Sequence, residues 1–305
     1  FKDAKIKPKD GRVKTVKIRG EIAQGLFLPR KLLPVFPAYP QEGQDLAEVL
    51  QVTKYEPPVK ELPLCMQTSK KGTRKKANPN FKEYTNLQHL KWFANVFEVG
   101  EPVAITEKVH GTSARYGFVP TVVDTWWKRL KAAIGLLPKF EFVYGSRKVQ
   151  LQSKSHRTTS YYGTDVWSSM CEQLNLPGVL EEGEVVYGEI YGPGIQKGYD
   201  YGVPAGERRF VVYDVQKDGR FLNHNELVAW CIETGLAMVP VLYTGQFSDT
   251  EVEIATNGNS LLDIGTKVRE GCVVRPMVER HTVNGRAIYK CVSPAFLLGD
   301  QTDFH

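Results

Sequence analysis

The chain has 305 residues, 42% hydrophobic and 24% charged, with a formal net charge of +6. That balance excludes a disordered or fibrous protein, and the length allows two domains or one large domain with an appendage. No apolar run approaches membrane-spanning length, the basic N-terminus lacks the apolar core of a secretory signal, and the five cysteines are scattered without CxxC spacing.

Cys65, Cys171, Cys231, Cys272 and Cys291 therefore argue against a disulfide framework or a zinc site. They point to a reducing, intracellular compartment, with the cytoplasm expected. The mild basic bias suits a polyanionic partner. The missing initiator Met leads us to expect upstream sequence.

In chain order, "RVKTVKIRG" alternates weakly as a strand, "QGLFLP" reads as a second, and "EGQDLAEVL" as one or two helical turns. Alone, this is too little for a core. Residues 56–82, rich in Pro, Lys and small polar residues, read as a linker. Its run Lys70, Lys71, Arg74, Lys75 and Lys76 suits a solvated loop and a phosphate-contacting loop equally.

From Tyr84 onward, "EPVAITEKV", "FEFVYGSR", "EVVYGEIYG", "RRFVVYDVQ", "EGCVVRP" and "AIYKCVS" read as short strands. "YGTDVWSSMCEQLNL" and "NHNELVAWCIETGL" have helical spacing, with Asn225 as cap and Gly235 as terminator of the second. "DTWWKRLKAAIGLLPKFEF" predicts an amphipathic helix followed by a strand. Trp126, Leu130 and Ala133 share one face, expected to pack on the domain surface. The alternation has no βαβ rhythm, so the fold class is α+β.

Five motifs carry chemistry. In Lys108-Val109-His110-Gly111-Thr112-Ser113, a lysine amine is nucleophilic only when neutral, and Gly111 permits a tight turn near a phosphate. In "YGSR", Arg147 has the fork that fits phosphate or carboxylate. In "VVYGEIYGPGIQ", Glu189 can accept from ribose hydroxyls, with Gln196 beyond the turn. In "RRFVVYDV", Tyr213 suits stacking on a base and Asp214 can orient a neighbour. In "REGCVVRP" and "AIYKCVSPAF", Glu270 suits a hydrated Mg²⁺ and Lys290 an attacked phosphate. Taken singly, each also fits a turn lysine, a core aromatic or a surface ion pair.

Taken as an ordered set, these motifs resemble the covalent nucleotidyltransferases, and most closely the ATP-dependent RNA ligases. His110-Gly111, where DNA ligases and capping enzymes have Asp-Gly, points to the RNA ligase 2 branch. The resemblance spans about residues 84–298. "RVKTVKIRGEIAQGLFLP" and "VTKYEPP" are similar to the end of the N-terminal OB-like module of Deinococcus-type RNA ligases. The front of that module would then be missing, and the chain ends too soon after Lys290 for a helical C-terminal domain.

The resemblance implies a nucleotidyltransferase domain of ATP-grasp-like type, with two antiparallel sheets. It would occupy 84–305, after a partial OB-like module at 1–58 and a basic linker at 59–83. It implies an enzyme sealing 3′-OH/5′-phosphate RNA ends through a lysyl-AMP, using ATP and Mg²⁺ or Mn²⁺, monomeric and without a membrane partner. Lys108 would accept AMP, with Glu107 and Val109 flanking the adenylate and Tyr213 on the adenine. Arg147 and Glu189 would contact ribose or phosphate, Glu270 the metal through water, Lys290 the α-phosphate, and Arg275 a further phosphate.

Three departures stand out: Ser113 replaces the usual Asn, Ile288 and Val292 leave Lys290 as a single lysine in the last motif, and residues 119–142 lengthen the gap to Arg147. The rivals are a DNA ligase, a GTP-using capping enzyme, or a nucleic-acid-binding module that has lost catalysis.

Overall fold

The structure is a computed structural model that describes residues 16–18, 21–23, 44, 46, 48–50, 77–93, 95–151, 165–263 and 267–298. The chain divides into two compact units, Phe1–Lys75 and Lys76–His305. In the first, β1 (Val16–Ile18) pairs antiparallel with β2 (Glu21–Ala23). The partner strand thus lies just before "QGLFLP", which falls outside the described residues. The Leu50 amide donates to the Leu46 carbonyl at 2.9 Å, a single helical turn within "EGQDLAEVL". Cys65 and the basic run also lie outside the described residues. An OB fold is a five-stranded barrel. The described residues of this unit carry only the two-stranded sheet.

The second unit runs β3 (Gln88–His89), β4 (Pro102–Glu107), β5 (Thr112–Pro120), α1 (Trp126–Ala133), β6 (Phe140–Ser146) and β7 (Gln150–Leu151). Next come α2 (Val166–Gln173), α3 (Leu176–Val179), β8 (Glu184–Tyr191), β9 (Arg209–Lys217), β10 (Arg220–Phe221) and α4 (His224–Thr234). It closes with β11 (Val241–Gln246), α5 (Asp249–Thr256), β12 (Gly271–Pro276), β13 (His281–Thr282), β14 (Gly285–Arg286), β15 (Tyr289–Val292) and α6 (Pro294–Leu298).

Two large sheets result, of order β10-β9-β8-β5-β6-β7 and β11-β4-β12-β15-β3. Neighbours are antiparallel throughout, except β15 and β3, which pair parallel. The expected α+β class with two antiparallel sheets is therefore observed, with that one parallel edge.

Strand alternation explains the layering. Along β5, Ala114, Tyr116 and Phe118 enter a core with Met170, Leu176, Leu227 and Trp230 from α2, α3 and α4. Val119 points the other way, joining Phe81, Val143, Val185 and Tyr187. The second sheet packs Val103, Ile105, Cys272, Val274 and Tyr289 against Val252 and Ala255 of α5.

Residues 77–83, the end of the expected linker, lie against the larger unit. Asn78 Nδ2 donates to the Pro120 carbonyl at 2.9 Å, and Arg115 Nη1 donates to the Phe81 carbonyl at 2.7 Å. Cys171, Cys231, Cys272 and Cys291 are free and buried, as their scattered spacing predicts.

Two local expectations need correction. The cap of α4 is Asn223, not Asn225: the Glu226 carboxylate accepts the Asn223 amide at 2.8 Å, half of a capping box. Gly235 does end the helix, at φ +69°. The amphipathic helix forms as α1, but it does not pack on the domain, since none of its residues is buried.

Candidate active site

Strand β4 belongs to one sheet and β5 to the other, so Lys108–Gly111 carries the chain across. The bend is fixed by its main chain. The Lys108 amide donates to the Gly271 carbonyl at 3.0 Å. The His110 amide donates to the Tyr201 hydroxyl at 2.8 Å, and Gln196 Nε2 donates to the Gly111 carbonyl at 2.7 Å. Position 111 has no room for a side chain: a Cβ would meet the Ile190 carbonyl oxygen at 2.3 Å and Glu189 Cγ at 2.8 Å.

A cavity of about 500 Å³ opens beside this bend. Ten of the residues singled out in the sequence line it: Glu107, Lys108, Val109, Gly111, Ser113, Arg147, Glu189, Tyr213, Arg275 and Lys290. They come from strands of both sheets. Ser113 on β5 sits directly opposite Glu189 on β8.

The carboxylate nearest Lys108 is Glu270, which precedes β12. Nζ donates to its Oε1 at 2.5 Å, and His110 Nδ1 stands 3.6 Å from its Oε2. Burial pushes the Glu270 carboxyl up, but Lys108 and His110 outweigh it and hold the group below its ordinary range. Burial raises Glu189 to about 8, with Lys108 opposing and the Glu270 charge reinforcing. Lys290 is lowered by burial and then by the Lys108 charge. A half-buried amine, Lys290, and a carboxyl, Glu189, both shifted and both lining one cavity, mark a site built for chemistry.

Strand β9 has a bulge at Tyr213. Tyr187 pairs with Asp214 and Gly188 with Val212, which leaves Tyr213 unpaired. The extra residue turns two consecutive side chains toward the same side. Tyr213 reaches Ser113, hydroxyl to hydroxyl at 2.8 Å, and Asp214 accepts from the Tyr84 hydroxyl at 2.9 Å. Tyr84 and Tyr213 rings meet at 4.8 Å.

Asp214 itself is fully buried away from the cavity, anchoring Arg286 at 2.8 Å and Arg275 at 3.3 Å. Arg275 also donates to the Leu222 carbonyl at 2.7 Å, so its fork is largely engaged within the fold. Glu107 faces away too. Its carboxylate accepts from Ser260 Oγ at 2.5 Å and the Leu261 amide at 2.8 Å, and burial raises it. Only its main chain is left for a ligand.

Sequence reasoning missed Tyr84, Asn86 and Tyr201. Tyr84 lines the cavity, Asn86 accepts from Arg147 Nη2 at 2.7 Å, and Tyr201 holds the bend. None carries a local motif. The "YGPGIQKGYDYG" stretch held a signal for Tyr201, since a turn-rich run so close to Gln196 has to pack on something nearby.

Among the described residues, no cluster of three or more His, Cys, Asp or Glu side chains makes a metal cage. Glu270 Oε2 is nonetheless buried without a hydrogen-bond partner. A lone carboxylate of this kind fits a cation held mostly by water and phosphate oxygens.

No curated protein matches the chain. Solved structures of an RNA ligase from Naegleria gruberi are similar. An apo variant has TM-score 0.59 at 21% identity, covering 95% of this chain and 77% of that one. The form with PPi has TM-score 0.57 at 20% identity, covering 95% and 78%. A variant with ATP and Mn has TM-score 0.57 at 21% identity, covering 95% and 78%. The likeness is one of fold. The RNA ligase family model matches residues 101–292, the stretch from β4 to β15 that holds the bend, most of the cavity's lining and Glu270, and the chain belongs to the RNA ligase family.

Proposed function

We propose that the protein is an ATP-dependent RNA ligase that seals 3′-OH/5′-phosphate RNA ends, with Lys108 as the AMP acceptor. The observation that carries this is the placing of Lys108 Nζ, on a rigid bend at a 500 Å³ cavity, hydrogen-bonded to Glu270. Naegleria ligase structures with ATP and Mn, and with PPi, support ATP as the nucleotide.

Lys108 Nζ gives up a proton, for which Glu270 Oε1 is the nearest acceptor, and attacks the α-phosphorus. An N–P bond forms, the bond to pyrophosphate breaks, and pyrophosphate leaves. AMP then passes to the oxygen of an RNA 5′-phosphate, freeing Lys108. A 3′-OH attacks that activated phosphate, closing the strand and releasing AMP.

Lys290 and Arg147 offset charge that builds on the phosphate. Glu189, its carboxyl raised to about 8 by burial, meets ribose or phosphate oxygens. Tyr213, braced by Ser113 and Tyr84, presents an aromatic surface to the adenine, and Val109 closes the wall beside it. Arg275 lines the cavity and would be a further phosphate contact, through whatever part of its fork Asp214 and the Leu222 carbonyl leave available. Glu270 would hold a hydrated Mg²⁺ or Mn²⁺, which supplies charge neutralisation at the phosphates.

The same reading assigns 1–58 to a partial OB-like module of the Deinococcus-type class, 59–83 to a basic linker and 84–305 to the adenylyltransferase. It describes a monomer of a reducing intracellular compartment, a view supported by the four free, buried cysteines. Intact mass after incubation with ATP and MgCl₂ tests the core of it. One AMP should be added to the wild type and none to Lys108→Ala; an adduct surviving in the variant refutes the assignment.

A further inference from the structure

Adjacent antiparallel strands are ordinarily joined by a few residues. The connection from β5 to β6 instead runs from Thr121 to Lys139. The Thr121 amide donates to the Lys139 carbonyl at 2.9 Å, closing a neck, and α1 stands beyond it. Thr125 Oγ1 caps the helix by accepting the Lys128 amide at 3.4 Å, and Gly135 takes φ +73° after its end.

No residue of this helix is buried, and much of its apolar surface and that of the turn after it faces outward. Trp126 is 62% exposed, Trp127 58%, Leu130 47%, Ile134 59% and Leu136 71%. The two indole rings lie on one another at 3.6 Å. At helical spacing, Trp126, Trp127, Leu130 and Ile134 share one arc, and Lys128, Arg129 and Lys131 occupy the rest. The helix itself has no acidic residue, but Asp124 just ahead of its cap pairs with Lys128 at 2.8 Å, which leaves Arg129 and Lys131 as its other cations. So short a helix is marginal in water unless its apolar face is covered, and contiguous exposed apolar surface of this kind marks a contact.

We propose that α1 lies in the plane of an anionic lipid surface, with its Trp–Leu–Ile arc in the acyl boundary and its basic arc toward the headgroups. The segregation of the apolar arc from Arg129 and Lys131, together with the tryptophan pair, is what such a surface selects. A single-stranded RNA platform mixes aromatic and basic groups on one face, which this helix does not. Strand β5 also separates the neck from the Lys108 bend by ~25 Å. A lipid-bound helix therefore leaves the bend open. The contact is peripheral: no helix among the described residues is long and apolar enough to cross a membrane.

The test uses the full chain with vesicles of phosphatidylcholine alone and of equal parts phosphatidylcholine and phosphatidylserine. Wild type should co-sediment with the mixed vesicles, with a blue shift in tryptophan emission. Trp126→Ser with Trp127→Ser should weaken that binding about tenfold or more, and Arg129→Glu with Lys131→Glu should do likewise. Both double variants should still form the AMP adduct, which shows that the fold is intact. Absence of wild-type binding, or equal binding by the variants, overturns the proposal. So does loss of binding to an RNA hairpin in place of the vesicles, or a dimer mass that disappears with the tryptophans.

Discussion

Lys108, which lines the cavity, and Glu270 are 162 residues apart in sequence and share a 2.5 Å hydrogen bond. The pair is set by two strands, because the Lys108 amide also binds the Gly271 carbonyl next to Glu270. Lys108→Arg should abolish the AMP adduct as fully as Lys108→Ala, since a guanidinium keeps its proton. Glu270→Gln should slow adduct formation about a hundredfold, because one charged partner is gone while the shape stays. Rapid-quench measurement of labelled adduct checks both.

The bend itself admits only glycine at position 111. Gly111→Ala should cost about 1–3 kcal/mol in urea denaturation, because its Cβ meets the Ile190 main chain, which cannot swing aside, as well as Glu189 Cγ. It should also reduce adduct formation, since relief of the clash shifts Lys108. An alanine variant with wild-type stability and rate would contradict the close packing.

Glu189 makes stability depend on pH. Its folded value of about 8 stands above the ordinary 4.5, so the folded state binds more protons between those values. The stabilising share of this group is complete below 4.5 and is lost as pH rises through 8. Glu189→Gln removes that loss, so the variant should gain on wild type between pH 5 and pH 8. Denaturation at the two pH values measures the difference; an unchanged difference would count against a protonated Glu189.

Asp214 is the fixed point behind the cavity wall. It neutralises two buried arginines, Arg275 and Arg286, and Arg286 also pairs with Glu279. Asp214→Ala should cost about 3–5 kcal/mol, since it leaves buried positive charge poorly matched. Tyr84→Phe removes a single hydrogen bond to the same carboxylate and should cost about 1 kcal/mol. Thermal or urea unfolding ranks the two.

The single lysine of the last motif can be tested at both of its flanks. Ile288 lines the cavity alongside Lys290, whereas Val292 packs against the cluster around Phe296. Ile288→Lys should therefore speed adduct formation if a second cation helps the phosphate. Val292→Lys should lower stability without that gain. Pre-steady-state adenylylation with matched unfolding curves separates the outcomes.

By itself the sequence determined the strands, the α+β class and the order of the motifs. Short β-branched runs between glycines and charges announce themselves locally, and a bend glycine or a run such as "YGPGIQ" is legible without a fold. The tertiary structure decided what each side chain faces. Tyr213 and Asp214 share a side only because β9 bulges there, a register effect that no single strand encodes. Glu107 turned out to serve Ser260 and Leu261, and Arg275 to serve Asp214, because burial obliges a charged group to find partners wherever the fold brings them. Tyr84 was invisible for the same reason: its value lies in Asp214 and Tyr213, which are distant in sequence and adjacent only once the sheets have closed. The helix α1 shows the reverse. Its amphipathic pattern was plain in the sequence, and only the fold revealed that the domain gives its apolar face nothing to pack on.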